Sequence, residues 1–216
     1  MGQVFKSDSG VTDIKERLRS FINDNCIFRA NPEMRYNEQF GPGRLVPKNV
    51  TETNGVTYCF LLRRLFSNAN MSWIAMQLLF DEFSECAEQE FQIAGLETAA
   101  VPMMTWMQSY YLVRTGKSLN AFGVRKERKA YGLCQYINGE CLKDVPVLLV
   151  DDLVASRNST GRAEQIITKE LGNVVLPDDL AIVNRNGVDG VKSLFTGSDF
   201  DYDFDVKKYW EPVDIS

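Results

Sequence analysis

The stretch VLLVDDLVASRNST, Val147 to Thr160, decides how the rest of the chain is read. Four apolar residues lead into Asp151 and Asp152. Leu153 and Val154 follow, and small polar residues from Ala155 to Thr160 open the next element. A continuous apolar run such as Val145 to Val150 is the pattern of a parallel strand covered on both faces. The hydroxyl-rich residues after it suit a helix N-terminus, where free amides and the helix dipole favour an anion. Two carboxylates at a strand end accept hydrogen bonds from a vicinal diol. The segment therefore fits a phosphorylated sugar, with the diol at one end and the phosphate at the other. The same residues also fit a plain helix cap after a buried strand, with the acids placed by the dipole.

Outward from this segment, strands and helices alternate. Upstream, a short strand at Phe91 to Ala94 precedes GLETAAVP, Gly95 to Pro102, and then a helix from about Pro102 to Arg114. Ser118 to Val124 reads as a further strand. Downstream, a helix from about Ser159 to Leu171 leads to a strand at Leu180 to Val183. Nearer the N-terminus, Ile14, Leu18, Phe21 and Ile22 are spaced for a helix over Val11 to Asn23. A Pro-, Gly- and Asn-rich stretch, Asn31 to Asn54, reads as loops with short strands. TYCFLL, Thr57 to Leu62, reads as a strand. Trp73, Met76, Gln77, Leu79, Phe80 and Phe83 give one packed face to a helix over Asn70 to Ala87.

Alternating strands and helices predict an α/β fold with a parallel sheet and right-handed crossovers. Ligands of such sheets sit at the carboxyl ends of the strands, here just after Ala94, Val124, Val150 and Val183. A length of 216 residues suits one domain, residues 1–216. Within it, residues 1–68 are expected to form a small N-terminal hood and residues 69–205 the core.

Composition narrows the chemistry. The chain has no histidine, which removes the usual general base, the commonest metal ligand and every Ser-His or Cys-His pair. Catalysis must then rest on carboxylates, lysines, arginines, backbone amides or a borrowed metal ion. Five cysteines (Cys26, Cys59, Cys86, Cys134 and Cys141) are an odd number without a CxxC spacing, so neither a zinc site nor a disulfide framework is expected. A net charge of −5 argues against a nucleic-acid partner. Within that acidic average, RKERK at Arg125 to Lys129 sets four cations in five residues. No apolar run approaches the roughly 20 residues of a membrane span, and the start MGQVFKSDSG lacks a signal-peptide core, so a cytoplasmic protein without a membrane partner is expected. GxGxxG and GxxxxGK[ST] do not occur, which leaves dinucleotide and P-loop readings without their fingerprints.

VLLVDDLVASRNST resembles the motif by which type I phosphoribosyltransferases bind 5-phosphoribosyl-1-pyrophosphate (PRPP): hydrophobics, two acids, two hydrophobics, then a phosphate loop. FGVRKERKAYG, Phe122 to Gly132, resembles the catalytic loop of orotate phosphoribosyltransferases. GLETAAVP falls where type I enzymes carry a pyrophosphate loop. TYCFLLRRLFSNA resembles the family's PYYxDLRxL segment, and IVNRNG resembles its DRxE-like segment. The resemblance runs from about Asp13 to Phe204 and implies the type I phosphoribosyltransferase fold.

The resemblance also implies roles. Asp151 and Asp152 match the ribose-binding acids, and Ala155, Ser156, Arg157, Asn158 and Ser159 match the 5-phosphate loop. Arg125, Lys126 and Lys129 match the basic residues that reach the pyrophosphate, often from the neighbouring subunit of a homodimer. Thr98 belongs to the pyrophosphate loop, while Arg63 and Arg185 stand on the base side. Catalytic roles fall to Lys126, Lys129, Asp151 and Asp152. Mg²⁺ is implied as cofactor, bridging ribose and pyrophosphate and reaching Asp151 and Asp152 indirectly through PRPP and water.

The implied reaction transfers ribose 5-phosphate from PRPP to a nucleobase such as orotate, with release of pyrophosphate. Several residues depart from the family pattern. Arg157 replaces a glycine, Tyr131 a histidine, and Leu61 and Asn184 each an acid, while Ala99 and Ala100 stand where relatives carry glycine or lysine. These departures support a second reading, a divergent or noncatalytic PRPP- or nucleotide-binding protein of a regulatory, toxin or antiviral system.

Overall fold

The computed structural model describes residues 8–29, 58–83, 90–128 and 135–200. The chain opens with helix α1 (Asp8–Asn25) and strand β1 (Ile27–Arg29), which pairs antiparallel with β2 (Tyr58–Phe60) in a two-stranded sheet. A 3₁₀ turn at Leu62–Ser67 leads into helix α2 (Ala69–Glu82), whose first turn is capped by the Asn68 side chain accepting from the Met71 amide. The main body then follows: β3 (Gln92–Leu96), α3 (Val101–Thr115), β4 (Ala121–Val124), β5 (Ile137–Asn138), β6 (Val147–Val154), α4 (Asn158–Ile166), β7 (Asp179–Asn184) and β8 (Val191–Thr196). A π-helical turn, Ile167–Leu171, continues α4.

The large sheet has the order β5-β4-β3-β6-β7-β8 and is parallel except for the antiparallel edge strand β5. The expected parallel α/β sheet is therefore present. The apolar run at its centre is covered on both faces, as its composition requires. Leu148 and Val150 pack with residues of α1, α2 and α3, while Val147 and Leu149 pack with Ala163, Ile166 and Ile167 beneath α4. Period-two alternation thus feeds two separate hydrophobic layers from one strand.

Two backbones touch where β3 ends. A β-carbon on Gly95 would stand 2.3 Å from the Ala100 β-carbon and 2.5 Å from the Val150 carbonyl oxygen, so only glycine lets the following loop fold tightly against β6.

The sequence placed most elements within a few residues, with informative differences. The central strand continues through Val154 instead of stopping at Val150, which puts Asp151 and Asp152 inside the strand. The stretch from Thr57 is strand only to Phe60 and becomes a 3₁₀ turn at Leu62. The strand expected from Ser118 begins at Ala121. Strands β5 and β8 carry no strong alternation and were not anticipated. The helix expected over Asn70 to Ala87 ends at Glu82 with Phe83 as its C-cap, and residues 84–87, like the Asn31 to Asn54 loops, lie outside the described residues. No described helix is long and apolar enough to cross a membrane.

Candidate active site

The carboxyl ends of β3, β4, β6 and β7 gather most of the residues that the sequence singled out. A cavity of about 110 Å³ opens at the end of β6, lined by Asp151, Leu153, Val154 and residues 155–160. Its floor is the strand and its far wall is the start of α4. Arg157 takes the N-cap position of α4, and no side chain caps the helix there. The Gly161 amide is bonded to the Arg157 carbonyl, so the amides of Asn158, Ser159 and Thr160 come before the first helical bond. An uncapped helix start beside hydroxyl-bearing Ser156, Ser159 and Thr160 is a ready anion cradle. The plain cap that the sequence also allowed is not what these residues form.

Asp151 and Asp152 are nearly inaccessible, at 6% and 7% exposure. Burial and the neighbouring Asp152 charge push the Asp151 carboxyl up to about 8, and more distant Asp179 adds to the rise. Burial also raises Asp152, against the pull of hydrogen bonds from its neighbours and the Arg63 charge. The Asp152 amide donates to Asp151 Oδ1 at 3.0 Å. Two carboxyls that close and that dry share protonation and cannot both ionise freely. They are groups that gain from a hydroxyl donor.

Arg157 adopts a left-handed backbone, φ 54° and ψ 10°. That conformation is routine for glycine and costs another residue roughly 1–2 kcal/mol. Its side chain is committed elsewhere. Nε and Nη2 donate to Asp179 Oδ2 and Oδ1 at 2.8 and 2.9 Å, and Nη2 also meets Glu164 at 3.4 Å. Asp179, completely buried at the start of β7, was not recognised from sequence. Nothing local in the sequence around Asp179 links it to Arg157.

The loop after β3 and the segment after β4 meet. Gly95 to Pro102 forms the connection to α3, with Thr98 exposed and the Glu97–Thr98 peptide cis. Arg125 Nε lies 3.3 Å from Glu97 Oε2, and a β-carbon on Gly123 would press on the Glu97 side chain at 2.8 Å. Lys126 is exposed, and its carbonyl accepts from both Nε and Nη2 of Arg162 in α4. Arg128 pairs with Glu170 at 2.6 Å and lies 4.9 Å over the Tyr136 ring. Residues 125–128 are thus fastened to the loop after β3, to α4 and to the π-helical turn that continues it. Lys129, like Tyr131, lies outside the described residues.

On the other flank, Arg63 sits exposed on the 3₁₀ turn and Arg185 follows β7. Burial raises the Cys59 thiol, and the charges of Arg185 and Arg63 both pull it back, so the two cations share one neighbourhood with Cys59. The Arg185 amide donates to the Val154 carbonyl, and Asn186 Nδ2 donates to the Ala155 carbonyl at 2.8 Å. Asn184 closes the turn by bonding to both the amide and the carbonyl of Val188. The turn after β7 is therefore tied to the loop after β6.

Among the described residues, no group of three or more histidine, cysteine, aspartate or glutamate side chains is placed to hold a metal ion. Asp151 and Asp152 alone fit only an outer role toward a cation that arrives with its own oxygen ligands.

No protein-family model matches the chain. Its relatives are nevertheless consistent in kind. The orotate phosphoribosyltransferase of Tropheryma whipplei (strain Twist) is 30% identical over 158 residues, 73% of this chain and 64% of that protein. The match thus spans somewhat under two thirds of this relative's length. The orotate phosphoribosyltransferase of Pyrococcus furiosus is 30% identical over 158 residues, 73% of this chain and 74% of that one. A crystal structure of Mycobacterium tuberculosis H37Rv orotate phosphoribosyltransferase with Fe(III) dicitrate superposes with a TM-score of 0.65 at 20% identity, covering 86% of this chain and 98% of that one. The same mycobacterial enzyme in complex with PRPP gives a TM-score of 0.58 at 17% identity, covering 89% and 92%. Sheet order, the acid pair within the last half of its central strand and this kinship agree: the chain belongs to the orotate phosphoribosyltransferase family and has the type I phosphoribosyltransferase fold.

Proposed function

We propose that this chain transfers ribose 5-phosphate from PRPP to a nucleobase, orotate or one like it, with release of pyrophosphate. The observation that carries this reading is the continuity of Asp151 and Asp152 with the uncapped, hydroxyl-lined start of α4 around one cavity. Asp151 and Asp152 accept the ribose hydroxyls. The amides and hydroxyls of the loop from Ala155 through Ser159 receive the 5-phosphate. Thr98 and its loop, with Arg125 and Lys126, take the pyrophosphate, whose negative charge grows as the glycosidic bond breaks, and Lys129 is assigned the same role by its place in the RKERK motif. Arg63 and Arg185 stand on the base side, where a planar guanidinium suits a carboxylate-bearing base.

The carboxyl pair works by holding one shared negative charge near the ribose as it becomes cation-like. Burial excludes water from that step and limits hydrolysis of PRPP. Mg²⁺ would enter with PRPP, held by its oxygens and by water with Asp151 and Asp152 beyond them, and would neutralise pyrophosphate charge. The working unit is a homodimer sharing the basic loop, in the cytoplasm.

Screening PRPP and Mg²⁺ with orotate, uracil and the purine bases, while following pyrophosphate release, tests this reading. Release with one base supports it. PRPP binding without release from any base would establish the divergent, noncatalytic alternative in its place.

A further inference from the structure

Arg157 stands at the bend of the phosphate loop with a left-handed backbone, yet its side chain faces a fully buried acid. Both oxygens of Asp179 accept from it, the fork geometry that a guanidinium makes with a carboxylate. The surroundings are shaped to this contact. The Asp179 amide donates to the Gly190 carbonyl, and a β-carbon on Gly190 would stand 3.2 Å from Arg157 Nη1. Gly190 itself has φ +72°, so the β7–β8 connection passes over the guanidinium on a residue that has no side chain.

We propose that Arg157 is a positioning residue: its bidentate pair with Asp179 pins the loop bend, and so sets the amides of residues 158–160 for the 5-phosphate. The guanidinium itself makes no phosphate contact. Glycine allows this bend through conformational freedom. Here an ion pair between the partly exposed arginine and a fully buried acid imposes it. Removing the arginine alone would leave Asp179 buried without a counter-charge, and Asp179 already adds to the field on Asp151. The inference rests on reading the loop as the phosphate site.

Two variants separate positioning from contact. Asp179→Asn releases the arginine, whereas Arg157→Gly combined with Asp179→Asn restores a glycine bend without a buried charge. PRPP titrated calorimetrically with Mg²⁺ should bind Asp179→Asn about tenfold more weakly, because the loop must then be ordered on binding. The double variant should return to near wild-type affinity. A direct phosphate contact predicts the reverse order, with Asp179→Asn unimpaired and the double variant weak, and that order would overturn the proposal. Ligand-free amide exchange at residues 156–160 supplies a readout that does not depend on PRPP. Faster exchange in Asp179→Asn and renewed protection in the double variant support the strut. If Asp179→Asn does not fold, wild-type-like exchange and affinity in the double variant support it, and loss of either overturns it. Should the wild type bind no PRPP, the phosphate-site reading fails on that result alone. Unchanged loop exchange in both variants would then still defeat the strut.

Discussion

At Asp151, burial and a neighbouring carboxyl act in the same direction, and the consequence is measurable without any ligand. Its folded pKa, about 8, lies far above that of an unfolded aspartate. Between about pH 4 and pH 8 the folded chain therefore holds the proton more tightly than the unfolded chain, so stability falls as pH rises through that window. The melting temperature of ligand-free protein should drop from pH 5 to pH 8. Asp151→Asn should flatten that drop and exceed the wild type at pH 8 by on the order of 1–3 kcal/mol. A variant less stable than wild type at pH 8 would show that the carboxyl is not penalised. Two glycines give a second residue-scale contrast. Gly95→Ala drives a β-carbon into Ala100 and the Val150 carbonyl and should cost roughly 1–3 kcal/mol in denaturant unfolding. Gly161→Ala, in helix α4 with nothing within 4 Å of its added β-carbon, should stabilise by about 0.5–1 kcal/mol.

Among the elements, strand β6 and helix α4 were the most legible, because a run of four apolar residues and a cluster of small hydroxyls are local signals. The strand's overshoot was not legible. Acids usually end strands, and pairing with Ala181, Val183 and Asn184 of β7 carries the ladder past Asp151 to Val154. Likewise RKERK announced its charge but not its anchorage, since Arg162 in α4 and Glu170 in the π-helical turn after it lie some forty residues away. These contacts are exposed and should add less than about 1 kcal/mol to global stability. They should instead govern how open the segment is. Arg162→Ala combined with Glu170→Ala should leave the unfolding midpoint nearly unchanged while speeding tryptic cleavage after Lys126 and Arg128. Equal cleavage rates would mean that the anchorage does not hold the segment.

For the whole molecule, the order of segments along the chain proved to be the most informative signal. Motifs at Gly95, Arg125, Asp151 and Arg185 are far apart in sequence, yet a parallel sheet brings the ends of β3, β4, β6 and β7 to one edge. That convergence follows from strand alternation alone, so the place of the site was predictable. The pairing of Arg157 with Asp179 was not, because a salt bridge between the start of α4 and the start of β7, 22 residues apart, leaves no local pattern. Nor could the sequence reveal that the acid pair is buried deeply enough to resist ionisation. The central claim is that Asp151 and Asp152 hold the ribose of PRPP. It is tested most directly by titrating PRPP with Mg²⁺ calorimetrically into wild type and into Asp151→Asn combined with Asp152→Asn. Saturable binding by the wild type is predicted, with affinity lower by about 100-fold in the double variant, as expected when the pair loses its one shared charge and the hydrogen bonds made to it. Equal binding by both proteins, or none by the wild type, would contradict the account.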